Sequence, residues 1–370
     1  MFAKPQQQQL DEDASCAVSS SAPAGKAQLC DGAHSAESPP VIDVGPLFTD
    51  DQPEQRLETI RAIGKACVEW GFFQVVNHSV DRDLMQRTRD EMKRFFHLPS
   101  EAKQRVKRTE NNSRGFADDE LTKQKRDWKE IFDFGHVYRK DLDEDDPANA
   151  GMDGRNQWPD HSPTFKATMK EYYEANAKFA QVLMDALSES LGVDKKFFRE
   201  AFANHTSFAR LNYYPKLPSA EQKQAALGIS RHTDAGGLTV LWQDGPGLQV
   251  YSGTKEDFKD GKWVDVSPLS ENAFTINIGD MVHVWTGGKC MAPEHRVIAN
   301  YEKERFSIPF FYNPSYDVIM QPLPGLVGGK QKYRPFTWGE FRRARFAGDY
   351  ADLGKETQIE DWEIVATPQT

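Results

Sequence analysis

The stretch Arg231-His-Thr-Asp-Ala-Gly-Gly-Leu-Thr-Val-Leu241 sets a histidine and an aspartate two residues apart, ahead of two glycines and an apolar run. If the segment is extended, side chains two apart share a face, and His232 and Asp234 stand about 6 to 7 Å apart by Cα. A neutral imidazole and a carboxylate that reach one point are ordinary ligands for iron, manganese or zinc. Glu294-His295-Arg296-Val297, at the head of a later strand, offers a third ligand. Two histidines and one carboxylate make a facial triad, which keeps coordination positions open for substrate-like ligands and dioxygen. Alone, a histidine near an aspartate is weak evidence, since hydrogen-bonded pairs of this kind are common.

Two further groups bear on the same chemistry. In Arg305-Phe-Ser307 the period of two puts a guanidinium and a hydroxyl on one face, a good grip for a carboxylate. A buried structural ion pair is the plainer reading of Arg305. Arg210-Leu-Asn212-Tyr-Tyr214 presents three alternate polar side chains on an earlier strand and could complete one pocket with them, or serve packing. Phe306, Phe310 and Phe311 suit a dry cavity.

These residues need a scaffold, and its elements can be read from the periodicity. Pro39-Pro40-Val-Ile-Asp-Val44 reads as a strand behind a proline stop. A helix follows with Asp51 as its cap, Pro53 in its first turn, and Leu57, Ile60, Ile63, Cys67 and Val68 at helical spacing before Gly71. Phe72 to Val76 is a strand. A second helix carries Leu84, Thr88, Met92 and Phe95 up to Pro99; a third opens at Ser162-Pro163 and runs to Gly192. After about residue 205 the texture changes to short strands: 209–214, 238–242, 248–251, 263–266, 274–278, 282–285, 296–299 and 306–312. No crossover helix fits between them, so a sandwich or jelly roll is expected and not a parallel α/β sheet. Residues 337–352 read as a polar helix across one end of the barrel.

Composition narrows the setting. The chain has 370 residues, 38% hydrophobic and 11% aromatic, enough for one large domain or two closely packed ones. A net charge of -10 (46 Lys+Arg against 56 Asp+Glu) opposes a nucleic-acid partner, which would need a basic face. Cys16, Cys30, Cys67 and Cys290 form no CxxC pair, so free thiols in a reducing, cytoplasmic setting are expected. No apolar run approaches the roughly 20 residues of a membrane span. Residues 1–38, with Gln6 to Gln9, Asp11-Glu12-Asp13 and few aromatics, read as a disordered tail; the early acids and lack of arginine count against a transit peptide. The remainder divides into an N-terminal helical/α+β region, 39–195, and a jelly-roll catalytic region with a C-terminal helix, 196–370.

Taken jointly, His232-x-Asp234, His295, Arg305-x-Ser307 and Asn212-Tyr-Tyr214-Pro215 resemble the iron(II)/2-oxoglutarate-dependent dioxygenases of the isopenicillin N synthase-like group. The resemblance extends through Pro40 to Val44, Gly71-Phe-Phe-Gln-Val-Val-Asn-His78 and Phe95-Phe-His-Leu-Pro99, covering about residues 39 to 365. It implies an α+β fold with a mainly β core, a double-stranded β-helix (jelly roll) buttressed by N-terminal helices. It implies that His232, Asp234 and His295 bind Fe(II), and that Arg305, Ser307 and Tyr214 hold the distal carboxylate of 2-oxoglutarate. Asn212 would lie near the metal-bound end of that cosubstrate, and Phe311 and Arg210 beside the organic substrate. His283 and His78 match scaffold positions. O2 would be the oxidant, ascorbate an accessory reductant, the substrate a small molecule, and the working unit a monomer. Two alternatives remain: an iron oxidase whose Arg-x-Ser pair takes a different carboxylate, and a non-catalytic small-molecule binder. The charged loop Thr254 to Gly261 and the wording of Gly287 to Glu294 depart from the family's usual pattern, which bears on substrate access and not on the metal.

Overall fold

A computed structural model describes residues 38–122, 125–138, 141–218, 227–253, 261–300, 302–326, 332–350 and 357–364. The expected tail over 1–38 lies, Ser38 apart, outside the described residues, as do Cys16, Cys30 and 254–260 of the charged loop.

The helices form where the apolar spacing and caps place them. Helix α1 spans Pro53–Glu69 and buries Ile60, Ile63 and Cys67, with Pro53 in its first turn. Its N-cap is Gln52, without a side-chain bond, so the expected Asp51 cap is not made, and Leu57 faces outward at 44% exposure. Helix α2, Arg82–Phe96, is capped by Asp81, whose carboxylate accepts from the Leu84 N–H at 2.8 Å. A short α3, Ser100–Gln104, follows Pro99. Helix α4, Phe165–Leu191, ends on Gly192, whose φ of 69° is the left-handed turn that glycine adopts without strain. Helix α5, Lys195–Ala201, contains the boundary drawn at 195/196.

The strands assemble two sheets. In chain order they are β1 (Val41–Asp43), β2 (Phe72–Val76), β3 (Gly115–Ala117), β4 (Leu121–Thr122), β5 (Lys125–Arg126), β6 (Glu130–Gly135), β7 (Phe208–Tyr214) and β8 (Leu227–His232). There follow β9 (Leu238–Gln243), β10 (Leu248–Tyr251), β11 (Trp263–Asp265), β12 (Phe274–Ile278), β13 (His295–Ile298), β14 (Arg305–Tyr312), β15 (Ile319–Met320) and β16 (Phe336–Thr337). The large sheet runs β1-β2-β12-β9-β14-β7-β6-β3, and the smaller one β11-β10-β13-β8. All their pairs are antiparallel except β1 with β2. This is a mainly β jelly-roll core with helices packed against it, and strands from both sides of residue 196 share the large sheet. Val240, Phe274, Ile276 and Phe310, on its central strands, join Phe179 and Leu183 of α4 in the main core, all at most 1% exposed.

Three local expectations are corrected. Residues 282–285 are not a strand: they close helix α6, Asp280–Trp285. Valine and tryptophan suggested a strand, but the backbone here is recruited by the preceding loop, with Asp280 N–H donating to Asp234 O and Met281 N–H to Gly236 O. Second, the strand ending at His232, β8, was not anticipated. Third, His232 and Asp234 do not lie on one strand: Asp234 stands beyond it, in the loop before β9. The glycines of that loop have a packing reason, since a Cβ on Gly236 would fall 1.9 Å from Asn313 Oδ1. At the C-terminus, α7 spans Trp338–Tyr350, within the expected 337–352.

Candidate active site

The two histidines meet because of strand register. His232, last in β8, pairs directly with His295, first in β13, and their ring centroids lie 4.3 Å apart. The loop after β8 then turns Asp234 to face both. Its Oδ1 is 3.7 Å from His232 Nε2 and 3.6 Å from His295 Nε2. The nearest ligand atoms of all three lie within 4.8 Å of one another. Ligand atoms each about 2.1 Å from one ion stand roughly 3 to 3.5 Å apart, so small side-chain movements bring these three to one metal.

The surrounding hydrogen bonds leave the right atoms available. His232 Nδ1 meets Ser230 O at 2.8 Å and His295 Nδ1 meets Pro293 O at 3.2 Å. A carbonyl only accepts, so each Nδ1 carries the proton and each Nε2 keeps its lone pair for a metal. Asp234 Oδ2 accepts from Thr239 Oγ1 at 2.5 Å and Asn277 Nδ2 at 2.7 Å, which turns Oδ1 inward. Burial, followed by the neighbouring His295, holds His232 far below the usual histidine range, so the ring is neutral. Burial alone would raise Asp234, but His295, His232 and the two hydrogen bonds outweigh it and keep the carboxylate ionised.

A second cluster lines the same cavity, whose volume is about 170 Å³. On β14 and β7, Arg305 pairs with Tyr214 and Ser307 with Asn212. The Arg305 guanidinium lies 4.9 Å over the Tyr214 ring. It donates from Nη2 to Gln243 Oε1 at 2.8 Å and from Nε to Gly245 O at 3.2 Å, while its buried Nη1 has no hydrogen-bond partner among the described residues. Asn212 Nδ2 donates to Ser307 Oγ at 3.3 Å, and Asn212 Oδ1 is likewise buried without one. A buried cationic donor left without an acceptor is costly, and an anion in the cavity would satisfy it.

The comparisons with known proteins agree with this geometry. Residues 39–161 match the family described as non-haem dioxygenase in morphine synthesis, N-terminal, and residues 205–314 match the 2OG-Fe(II) oxygenase superfamily. Jasmonate-induced oxygenase 2 of Arabidopsis thaliana is 36% identical over 319 residues, 84% of this chain and 80% of that protein.

The chain belongs to the 2OG-Fe(II) oxygenase superfamily.

Solved structures carry the same fold. JOX2 in complex with 2OG, Fe and JA superimposes with a TM-score of 0.67 at 34% identity, covering 82% of this oxygenase and 83% of JOX2. A full-length Neurospora crassa protein in complex with alpha-KG and 5-formyluracil gives 0.72 at 26% identity, covering 83% and 95%. The superfamily is named for iron and 2-oxoglutarate, and the donor set here fits both: two imidazoles and a carboxylate for the ion, a guanidinium and a hydroxyl for the organic acid.

Other expected residues occupy different surroundings. Phe311 lines the cavity and packs on Phe208 at 4.7 Å. Arg210 also lines it, but its Nε and Nη2 grip Asp133 at 2.8 Å each and its Nη1 donates to Glu120 at 2.7 Å, so its planar fork is engaged within the chain. His283 stands apart from the cluster, meeting Cys290 O at 3.1 Å and Tyr333 Oη at 3.0 Å. His78 meets Asn272 O at 2.9 Å against the Phe274 ring, and Cys67 and Cys290 are buried free thiols.

Sequence reasoning missed the residues that orient the ligands. Asn277, the lone amide in Phe274-Thr-Ile-Asn-Ile278, and Gln243, closing the apolar run of β9, are each 2% exposed. A buried amide in an apolar strand was the available signal, since it must find partners. Also missed was a wall of buried charges, Arg108, Glu120, Lys129 and Asp133, on one side of the cavity. Across the site, Arg345 of α7 donates from Nη2 to the carbonyl of Thr233, between the two ligands, at 3.2 Å.

Proposed function

We propose that this oxygenase oxidises an unactivated C–H bond of a small-molecule metabolite. In the hydroxylation form, 2-oxoglutarate, O2 and R–H give succinate, CO2 and R–OH; desaturation or ring closure releases water in place of the hydroxyl group. The reading rests on one observation above others: three ligand atoms of His232, Asp234 and His295 converge within 4.8 Å, with the remaining polar atoms of each side chain already bonded.

In this reading His232, Asp234 and His295 hold Fe(II), which supplies the electrons that let dioxygen react. Arg305 Nη1 and Ser307 hold the distal carboxylate of 2-oxoglutarate, with Tyr214 beside the guanidinium, and Asn212 lies toward the metal-bound end. Phe311, Phe208 and Trp338 give the substrate an apolar wall that excludes water. Arg210 bears on the substrate mainly through the charged wall it organises. O2 is the oxidant and ascorbate serves as an accessory reductant. A monomer is the working unit in this reading, and the setting is reducing and cytoplasmic, in keeping with the buried thiols of Cys67 and Cys290. No helix among the described residues is long and apolar enough to cross a membrane.

The deciding experiment supplies 2-oxoglutarate labelled at C1 with Fe(II), ascorbate and fractionated metabolite extracts, and traps labelled CO2 alongside succinate. Release of both in step with oxidation of one extract component is expected. Oxygen uptake and product formation with neither released would favour an oxidase that seats another carboxylate on Arg305.

A further inference from the structure

One path through the charged wall ends on a metal ligand. Lys129 Nζ sits between two buried carboxylates, 2.7 Å from Glu120 Oε2 and 2.9 Å from Asp127 Oδ2. Glu120 also binds Arg108 at 3.1 Å and Arg210 at 2.7 Å, both on the cavity surface. Asp127 reaches the other way: its Oδ1 accepts from the Ser230 N–H at 3.3 Å, and the Ser230 carbonyl is the group that accepts from His232 Nδ1 at 2.8 Å.

The fold gives this path its leverage. Among the described residues, strand β8 is the edge of the smaller sheet and pairs with β13 alone, so its outer backbone groups have no ladder partner in that sheet. Segment 127–129 supplies partners along that edge: Asp127 takes the Ser230 N–H, and the Trp128 N–H donates to Leu227 O at 3.0 Å. The place of β8's last residue, and the aim of its imidazole, thus depend on where this segment sits. Without the lysine, Asp127 and Glu120 would be two buried carboxylates lacking the cation between them, and the hold on Asp127 would loosen.

We infer that Lys129 is a positioning residue: by holding Asp127 against Ser230 it fixes the imidazole of His232, and by sharing Glu120 it ties that imidazole to the arginines of the substrate wall. This rests on the reading of His232 as a metal ligand.

The test uses Mn(II) as the metal probe, titrated anaerobically into the purified full chain and followed by the EPR signal of the free ion. Removing a metal ligand's direct hydrogen-bond partner typically weakens binding about 10- to 100-fold, and Lys129, which acts through Asp127 and Ser230, belongs at the low end of that range. Lys129→Met is therefore expected to raise the Mn(II) dissociation constant about 10-fold. It should leave 2-oxoglutarate binding to the manganese-saturated protein within about twofold, since Arg305 is untouched. Lys129→Arg keeps the cation and is expected to recover most of the metal affinity. Asp127→Asn should weaken Mn(II) in the same direction, and adding it to Lys129→Met should cost less than the two single losses combined, as for residues acting in one chain. A folded Lys129→Met protein with wild-type Mn(II) affinity, or fully additive losses, overturns the proposal. If Lys129→Met does not fold, Asp127→Asn decides alone, and unchanged affinity overturns it. His232→Ala separates the two readings: wild-type Mn(II) binding in that variant removes the metal assignment itself, whatever Lys129 does.

Discussion

His232 and His295 are direct cross-strand partners at the mouth of the β8–β13 pair, and Asp234 faces both from the following loop. Strand register brings together ligands far apart in sequence. Wild-type protein is therefore expected to bind one Fe(II) or Mn(II) per chain and to melt higher with metal present. His232→Ala and His295→Ala should abolish both effects. Equal metal content in wild type and the two variants, read by anaerobic titration and elemental analysis, would refute the assignment.

Arg305 should matter to the cosubstrate and not to the ion. Its buried Nη1 lacks a partner among the described residues, and a hydrogen bond to a charged group is worth about 1.5–3 kcal/mol. Arg305→Ala is expected to raise the 2-oxoglutarate concentration for half-maximal succinate release roughly 10- to 100-fold. Metal content should stay near wild type. Unchanged 2-oxoglutarate dependence would show that the grip lies elsewhere.

Asn277 and Thr239 hold one oxygen of Asp234 so that the other faces the histidines. Asn277→Ala should weaken Mn(II) about 10- to 100-fold with the fold retained. Circular dichroism paired with metal titration reads both, and an unperturbed affinity would mean that the carboxylate orients itself.

His136 provides a pH signature away from the metal. Burial, then Arg114, pushes its pKa down to about 4 against a usual 6.5. Since the folded value is the lower one, the neutral ring's contribution is complete above pH 6.5 and is lost as pH falls toward 4. Stability should decline over that window by at most about 3 kcal/mol, read as a falling melting temperature. His136→Gln should flatten that part of the profile. A variant with the wild-type slope would place the pH response in other groups.

What could be read in the sequence was the chemistry of particular side chains. Helical spacing located α1, α2 and α4 because a buried stripe leaves a period of 3.6, and short runs bounded by turn residues located most of the strands. The triad and Arg305-x-Ser307 were named for their chemistry and spacing, and the roles of Tyr214 and Asn212 through the family resemblance; the fold gathers them all into one cavity. Tertiary recruitment was harder to see. Val282 to Trp285 has strand-like residues, yet the two residues before it, Asp280 and Met281, bond the loop around Asp234 and start a helix that carries it. The edge strand β8 carries few apolar residues, so nothing in its pattern marked it. The charged wall was invisible for a related reason, since Glu120, Lys129 and Arg210 look like ordinary surface residues until the fold surrounds them.

The hydrogen bond from Arg345 to Thr233 fastens the final helix to the peptide that separates two of the ligands. A residue late in the sequence thus braces a centre assembled mostly from those before it. Removing that guanidinium would free the peptide between His232 and Asp234 from its outside anchor, so a side chain of α7 helps set the spacing of two ligands.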